Sequence, residues 1–184
     1  ENSKLTTMRR THSSTILLLL AAAMPLNGLA EGLGADRVRE AMRKGARYFA
    51  GEVASHGGYV WEYTTDFVTR RRGESENLPL STNWVQPPGT PSVGMALLRA
   101  YEATGEQLYL DGAVAAAHCL AWGQLVSGGW SYNIEFDLGR NRNRYHHLDP
   151  QKTAGYEKLN NATTFDDDNT QSATCFLMAV DQYV

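Results

Sequence analysis

The 184-residue chain carries 17 Lys and Arg against 20 Asp and Glu, a formal net charge of −3. That balance lacks the basic face a nucleic-acid binder needs. Its two cysteines, Cys119 and Cys175, each fall in an apolar helical stretch where a small buried thiol is at home, with pairing left open for an exported protein.

Residues 1–7 read as upstream sequence, and 8–30 as a secretory leader. Arg9 and Arg10 give it a positive start, 16–24 is an unbroken apolar run, and Gly28, Leu29 and Ala30 supply small residues for cleavage. The run is short for a bilayer span, a retained anchor being the alternative. A secreted or periplasmic location follows, with no stable membrane association once the leader is removed. The remaining 31–184 is expected to form one core or part of a larger one, and to be monomeric. Because the chain stops inside a helical pattern at Val184, it is expected to be the front part of a longer protein.

The spacing predicts four helices. The first covers about 36–55, with Val38, Met42, Ala46, Phe49 and Val53 as one apolar stripe among charged residues. The second, about 91–104, starts near Pro91, is apolar on nearly every side, and stops at Gly105. The third, about 106–125, places Leu110, Val114, Ala117, His118 and Ala121 on one face. The fourth begins near Asn169 with Ala173, Phe176, Leu177 and Val180, and repeats the all-round apolar type.

Outer and inner helices thus alternate, and the links repeat with them. Gly57-Gly58-Tyr59 follows the first helix and Gly128-Gly129-Trp130 the third, roughly seventy residues apart. Thr90 and Ser92 match Thr170 and Ser172, and Leu97 matches Leu177. The expected fold is therefore all-α, an incomplete α/α toroid with its long links on one face. Inner-helix N-termini on that face carry free N–H groups that favour anions.

Asp166, Asp167 and Asp168 enter the fourth helix together. Adjacent carboxylates suit a hard cation such as Ca²⁺ or Mg²⁺, and also suit ordinary helix capping. Trp61, Tyr63, Trp84, Trp130 and Tyr132 all fall in the links, where rings either stack on sugar faces or pack beneath loops. Arg70, Arg71 and Arg72 form one basic loop segment, and Arg140, Arg142 and Arg144 with His146 and His147 another. Guanidinium forks bind carboxylates, histidine is a common general base, and solvated loop charge is the plainer alternative. Glu62 and Glu135 are candidates for a paired acid and base.

The alternating helices, Gly128-Gly129-Trp130, and the run Thr164-Phe165-Asp166-Asp167-Asp168-Asn169-Thr170-Gln171 followed by Phe176 and Leu177 resemble the pectate lyases of polysaccharide lyase family ten. The likeness covers about 36–184, and the aspartate run is its more specific part. It implies an α/α toroid that cleaves polygalacturonate by β-elimination with Ca²⁺ assistance. Asp166 and Asp168 would lie in the cleft, near the cation or the uronate carboxylate, with Asp167 completing the candidate metal group. From the residues themselves, Arg142 is a candidate for substrate binding and Arg144 for catalysis. The partner is then an acidic polysaccharide. The family usually follows Gly-Gly-Trp with Pro-Lys where this chain has Ser131 and Tyr132, and its basic arginine falls beyond Val184. A glycoside hydrolase acting on uronate oligosaccharides through Glu62, Glu135 or an aspartate is the alternative, and a non-catalytic carbohydrate-binding protein is a third reading.

Overall fold

The first helix forms as its stripe predicts but tightens poorly at its end. In the computed structural model, which describes residues 34–71, 77–141 and 161–184, α1 spans Ala35–Tyr48 and passes into a single wide turn, Phe49–Val53. Such a turn accommodates one extra residue in a helix. Only Ala46 and Val53 of the stripe are buried; Val38 and Phe49 remain exposed. The leader expected at 8–30 lies outside the described residues. Among the described residues no helix is long and apolar enough to cross a membrane.

Helices α2 (Thr90–Thr104) and α3 (Gln107–Gly123) form a tight antiparallel pair, and α4 (Asn169–Val180) packs across both. Gly105 ends α2 in the left-handed region at φ 70°, donating its N–H to Tyr101 O, a turn that suits a residue without a Cβ. The close helix approach depends on small residues. A Cβ on Gly94 would sit 2.3 Å from the Phe176 ring, and Gly112 touches Leu97 in the same manner. Around these contacts Leu98, Ala113, Ala116, Leu120, Ala173 and Phe176 are fully buried. One ion pair pins α1 to the start of α3: Arg43 donates from Nε and Nη2 to the Glu106 carboxylate at 2.7 and 2.8 Å.

The expectation of an all-α toroid is overturned. The described residues contain four α-helices, too few to close a ring of paired helices, and two small antiparallel sheets. Strand β1 (Glu62–Tyr63) pairs with β2 (Arg70–Arg71). Strand β3 (Thr82–Trp84) pairs with β4 (Asn133–Glu135) in the register Thr82 with Glu135, Asn83 with Ile134 and Trp84 with Asn133. Nor do the helices sort into outer and inner kinds as expected. Helix α3, expected to show one apolar face, buries Tyr109, Gly112, Ala113, Ala116, Cys119, Leu120 and Gly123 and is central to the core. Helix α2, expected to be covered on all sides, leaves Ala96 exposed and Val93 and Met95 half-buried.

The sequence repeat nevertheless has a physical form, written in hydrogen bonds. After α1, Ser55 and Gly58 exchange backbone bonds; Tyr59 N–H then donates to Thr90 Oγ1 at 3.0 Å. After α3, Leu125 N–H donates to Gly129 O and Gly128 N–H to Leu125 O; Trp130 N–H then donates to Thr170 Oγ1 at 3.2 Å. In each unit a threonine at the start of the second helix receives the N–H of the aromatic residue that follows the glycine pair. Cys119 is buried as expected, whereas Cys175, expected to be buried too, is exposed on α4; the two are not bonded.

Candidate functional site

Two links and one helix start meet at a single polar surface. Strand β3 leads into Val85 and Gln86, and Val85 N–H donates to Tyr132 O at 2.8 Å, tying this segment to the link after α3. Trp84 N–H donates to Tyr59 O at 2.8 Å, and Trp61 Nε1 donates to Gln86 O at 3.0 Å, which brings in the link after α1. Thr164 N–H donates to Trp130 O at 3.0 Å, and Asn169 Nδ2 donates to Trp130 O and Ser131 O, which draws in the entrance to α4. The repeat's hydrogen bonds therefore fix where the aspartates stand.

The aspartates are exposed and form one turn before α4. Asp167 and Asp168 both adopt left-handed backbone, φ 50° and 58°. Aspartate tolerates that region better than most residues, yet each still costs about 1 kcal/mol. Asp168 stands at the N-cap of α4 without a side-chain capping hydrogen bond, which leaves the favourable charge at the helix start as the part of the capping alternative that applies. Asp166 Oδ2 instead accepts from Tyr132 Oη at 2.7 Å, and its Oδ1 from Asp167 N–H at 3.1 Å. Asp167 Oδ2 accepts from Gln86 Nε2 at 3.0 Å. The Asp166 carboxylate pushes the Tyr132 phenol above its ordinary pKa, with burial and Asp167 adding to the effect, so Tyr132 stays a proton donor here.

The five aromatic residues expected to bind sugar separate into two groups. Trp130 is 2% exposed, with its ring in the main core and Nε1 donating to Leu120 O at 2.8 Å. Trp84 is buried as well, but in a small second cluster with Val60 and Leu78 that Trp61, Tyr63 and Tyr132 cover. Trp84 stacks on Tyr132 at 6.1 Å and meets Trp61 edge-on at 6.2 Å. Trp61 and Tyr132, both half-buried, are the members of this group that can offer ring surface beside the aspartates. Tyr63 Oη is occupied by Val60 N–H at 2.6 Å, and burial raises its pKa.

The other candidates are dispersed. Arg70, expected in a solvated loop, is buried; its guanidinium donates to Pro79 O, Thr82 O and Asn83 Oδ1 and lies 5.7 Å from the Tyr63 ring centre. Arg72, Arg142, Arg144, His146 and His147 lie outside the described residues. Glu62 and Glu135 stand on different sheets, and Glu135 is buried, accepting from Thr82 Oγ1 at 2.7 Å and Asp137 N–H at 2.9 Å. Sequence reasoning passed over Gln86, which touches Trp61, Trp84 and Asp167, and Asn169, which clamps the link after α3. Gln86 sits two residues from Trp84 before a proline pair, a position with no motif to mark it.

For a hard cation the donor chemistry is suitable: exposed carboxylate oxygens on adjacent residues. Among the described residues, however, no group of three or more His, Cys, Asp or Glu side chains is placed to hold a metal ion. One Asp166 oxygen faces Tyr132 and one Asp167 oxygen faces Gln86. A cation at this surface would need further oxygens from its ligand. Comparison of the chain with protein-family models, with curated proteins and with solved structures yields no match.

Proposed function

We propose that this protein acts on an acidic polysaccharide, with polygalacturonate as the substrate class, and cleaves it by β-elimination as a secreted lyase. One observation carries the reading. The aspartate run that resembles the pectate-lyase motif is held by hydrogen bonds against Tyr132 and Gln86, beside the Trp61–Trp84–Tyr132 aromatic group. Ring faces beside hydrogen-bonding acceptors match the two sides of a sugar. Asp166 and Asp168, with Asp167, are the residues that would hold Ca²⁺, the uronate carboxylates completing its oxygen shell. Bound there, the cation would offset the uronate charge and raise the acidity of the adjacent C–H. Trp61 and Tyr132 position the sugar ring, and Gln86 orients Asp167. Arg142 and Arg144 are proposed to bind the uronate carboxylate through their guanidinium forks.

The test is incubation of the full chain with polygalacturonate, with and without added Ca²⁺ and with a chelator. A rise in ultraviolet absorbance from unsaturated uronate ends, abolished by chelation, supports the lyase. New reducing ends without that absorbance indicate a hydrolase, and retention on a polygalacturonate gel without product indicates a binding protein. Absence of turnover and of retention would reject an acidic-polysaccharide ligand altogether.

A further inference from the structure

Two backbone irregularities in the first unit close on one pocket. The wide turn after α1 carries Phe49 and Val53, and the tip of the β1–β2 hairpin holds Phe67 in the left-handed region at φ 58°. Few aromatic residues adopt that backbone, and here hydrogen bonds fix it. Phe67 N–H donates to Thr64 O at 2.9 Å; Thr64 Oγ1 donates to Asp66 Oδ1 at 2.6 Å and accepts from Thr69 N–H at 3.0 Å. The tip thereby sets the Phe67 ring 5.9 Å from that of Tyr48 on α1 and 6.5 Å from that of Tyr63 on β1.

The pocket has a volume of about 370 Å³, within the ~300–1,000 Å³ of small-ligand clefts. Six rings line it: Tyr48, Phe49, Tyr59, Trp61, Tyr63 and Phe67. Every described lining residue comes from the end of α1, the link that follows it or the start of α2, and none is charged. Arg70 lies 5.7 Å from the Tyr63 ring centre but is buried and committed to Pro79 O, Thr82 O and Asn83 Oδ1. At the rim, exposed Tyr48 and Thr65 bring hydroxyls within reach of a sugar's oxygens.

Trp61 belongs to this pocket and to the candidate site at once. Its ring meets Trp84 edge-on at 6.2 Å, and its Nε1 donates to the backbone of Gln86, whose side chain reaches Asp167. The chemistry on the two sides of Trp61 differs. Beside the aspartates, a cation can offset a uronate carboxylate. In the pocket, a carboxylate would leave water for ring faces of negative potential without a counter-charge, which is costly. The hairpin tip also carries Asp66, kept below the usual carboxylate range by its hydrogen bonds from Thr64 and Val68, and hence ionised. Methyl esterification of a uronate removes its charge and adds a methyl group that packs on rings.

We propose that this pocket is a second subsite, which takes a neutral, methyl-esterified uronate unit of the same polysaccharide whose acidic units lie at the aspartates. The assignment rests on the acidic-polysaccharide reading above and narrows it to a partly esterified polymer.

The experiment measures retention of the full chain, with Ca²⁺, on gels of polygalacturonate and of the same polymer partly methyl-esterified. It compares the unmodified chain with Phe67→Asn and Phe49→Ala, each checked for native circular dichroism. Asparagine tolerates left-handed backbone, and Phe49 is 44% exposed, so both variants should fold. The unmodified chain should be held more tightly by the esterified gel. Each variant should lose roughly fivefold there and change little on polygalacturonate. An unmodified chain held by polygalacturonate but no better by the esterified gel overturns the subsite and leaves the acidic-polysaccharide reading standing. Folded variants that match the unmodified chain, or that lose the same factor on both gels, overturn it as well. Retention on the esterified gel alone, lost in the variants, supports the subsite and rejects the aspartate site. No retention on either gel rejects both.

Discussion

Thr170 joins the repeat to the candidate site, so replacing it with valine tests whether the hydrogen bond, rather than the shape of the side chain, holds the two together. Thr170 Oγ1 accepts from Trp130 N–H at 3.2 Å and donates to Thr164 O at 2.6 Å. Thr170→Val keeps the branched shape but leaves the N–H of a buried tryptophan without an acceptor. A buried donor left unpaired costs about 1–3 kcal/mol. The new methyl offsets at most ~0.8 kcal/mol of that. The bond to Thr164 O is lost as well, about 1 kcal/mol more, so a net loss of about 2 kcal/mol is expected, which at a urea slope of about 1–3 kcal/mol/M lowers the midpoint by roughly 1 M. Thr90→Val should cost less, about 1 kcal/mol, because Tyr59 O keeps the Trp84 N–H when its threonine partner is lost. Thr170→Ser retains the hydroxyl and should be the milder change at that position. Urea unfolding followed by tryptophan fluorescence reads all three. The reasoning fails if Thr170→Val unfolds at the native midpoint, or if serine proves worse than valine.

Four further outcomes follow from the same geometry. Gly57→Ala and Gly128→Ala share the strain of positive φ, but only the first drives a Cβ into Ala115 O, so calorimetry should show it losing about 1–3 kcal/mol more. A thiol reagent should label Cys175 alone in the native protein, since burial pushes the Cys119 thiol up to about 12; two labels should appear in urea. The hydrogen bonds from Arg43 hold the Glu106 carboxyl below its ordinary pKa, so their stabilisation is present above the unfolded pKa and lost as pH falls through the folded one. Glu106→Gln should therefore flatten the acid limb of the stability curve below about pH 4. Gln86→Ala should weaken retention on polygalacturonate by roughly fivefold, the value of about one hydrogen bond, with little change in the unfolding midpoint.

The helices were legible because each carries a long apolar period with a recognisable stop, such as Gly105 after α2. Their arrangement was not. Of the stripe Leu110, Val114, Ala117, His118 and Ala121 only Leu110 is buried, while the tightly packed side of α3 runs through Gly112, Ala113 and Ala116. Small residues permit close approach but add little to an apolar pattern, so the face that packs most tightly is the harder one to see. The strands have two or three residues each, too short for an alternation to register. Arg70 was read as solvated because charge runs usually are; it is buried because three nearby acceptors take its guanidinium. At the site, the sequence marked the aspartates and the aromatic links, and the threonine echo foretold a real hydrogen-bond equivalence. It could not separate the buried Trp130 from the half-buried Trp61 and Tyr132, because both groups occupy similar links.

The most direct test of the proposed chemistry compares the full chain with its Asp166→Ala/Asp168→Ala variant on polygalacturonate in the presence of Ca²⁺. Both aspartates are exposed, so the variant should keep its fold. The unmodified chain should generate the absorbance of unsaturated uronate, and the variant should generate none while its circular dichroism stays native. Equal product from both proteins would contradict the assignment of the aspartates, and no product from either would contradict the lyase itself.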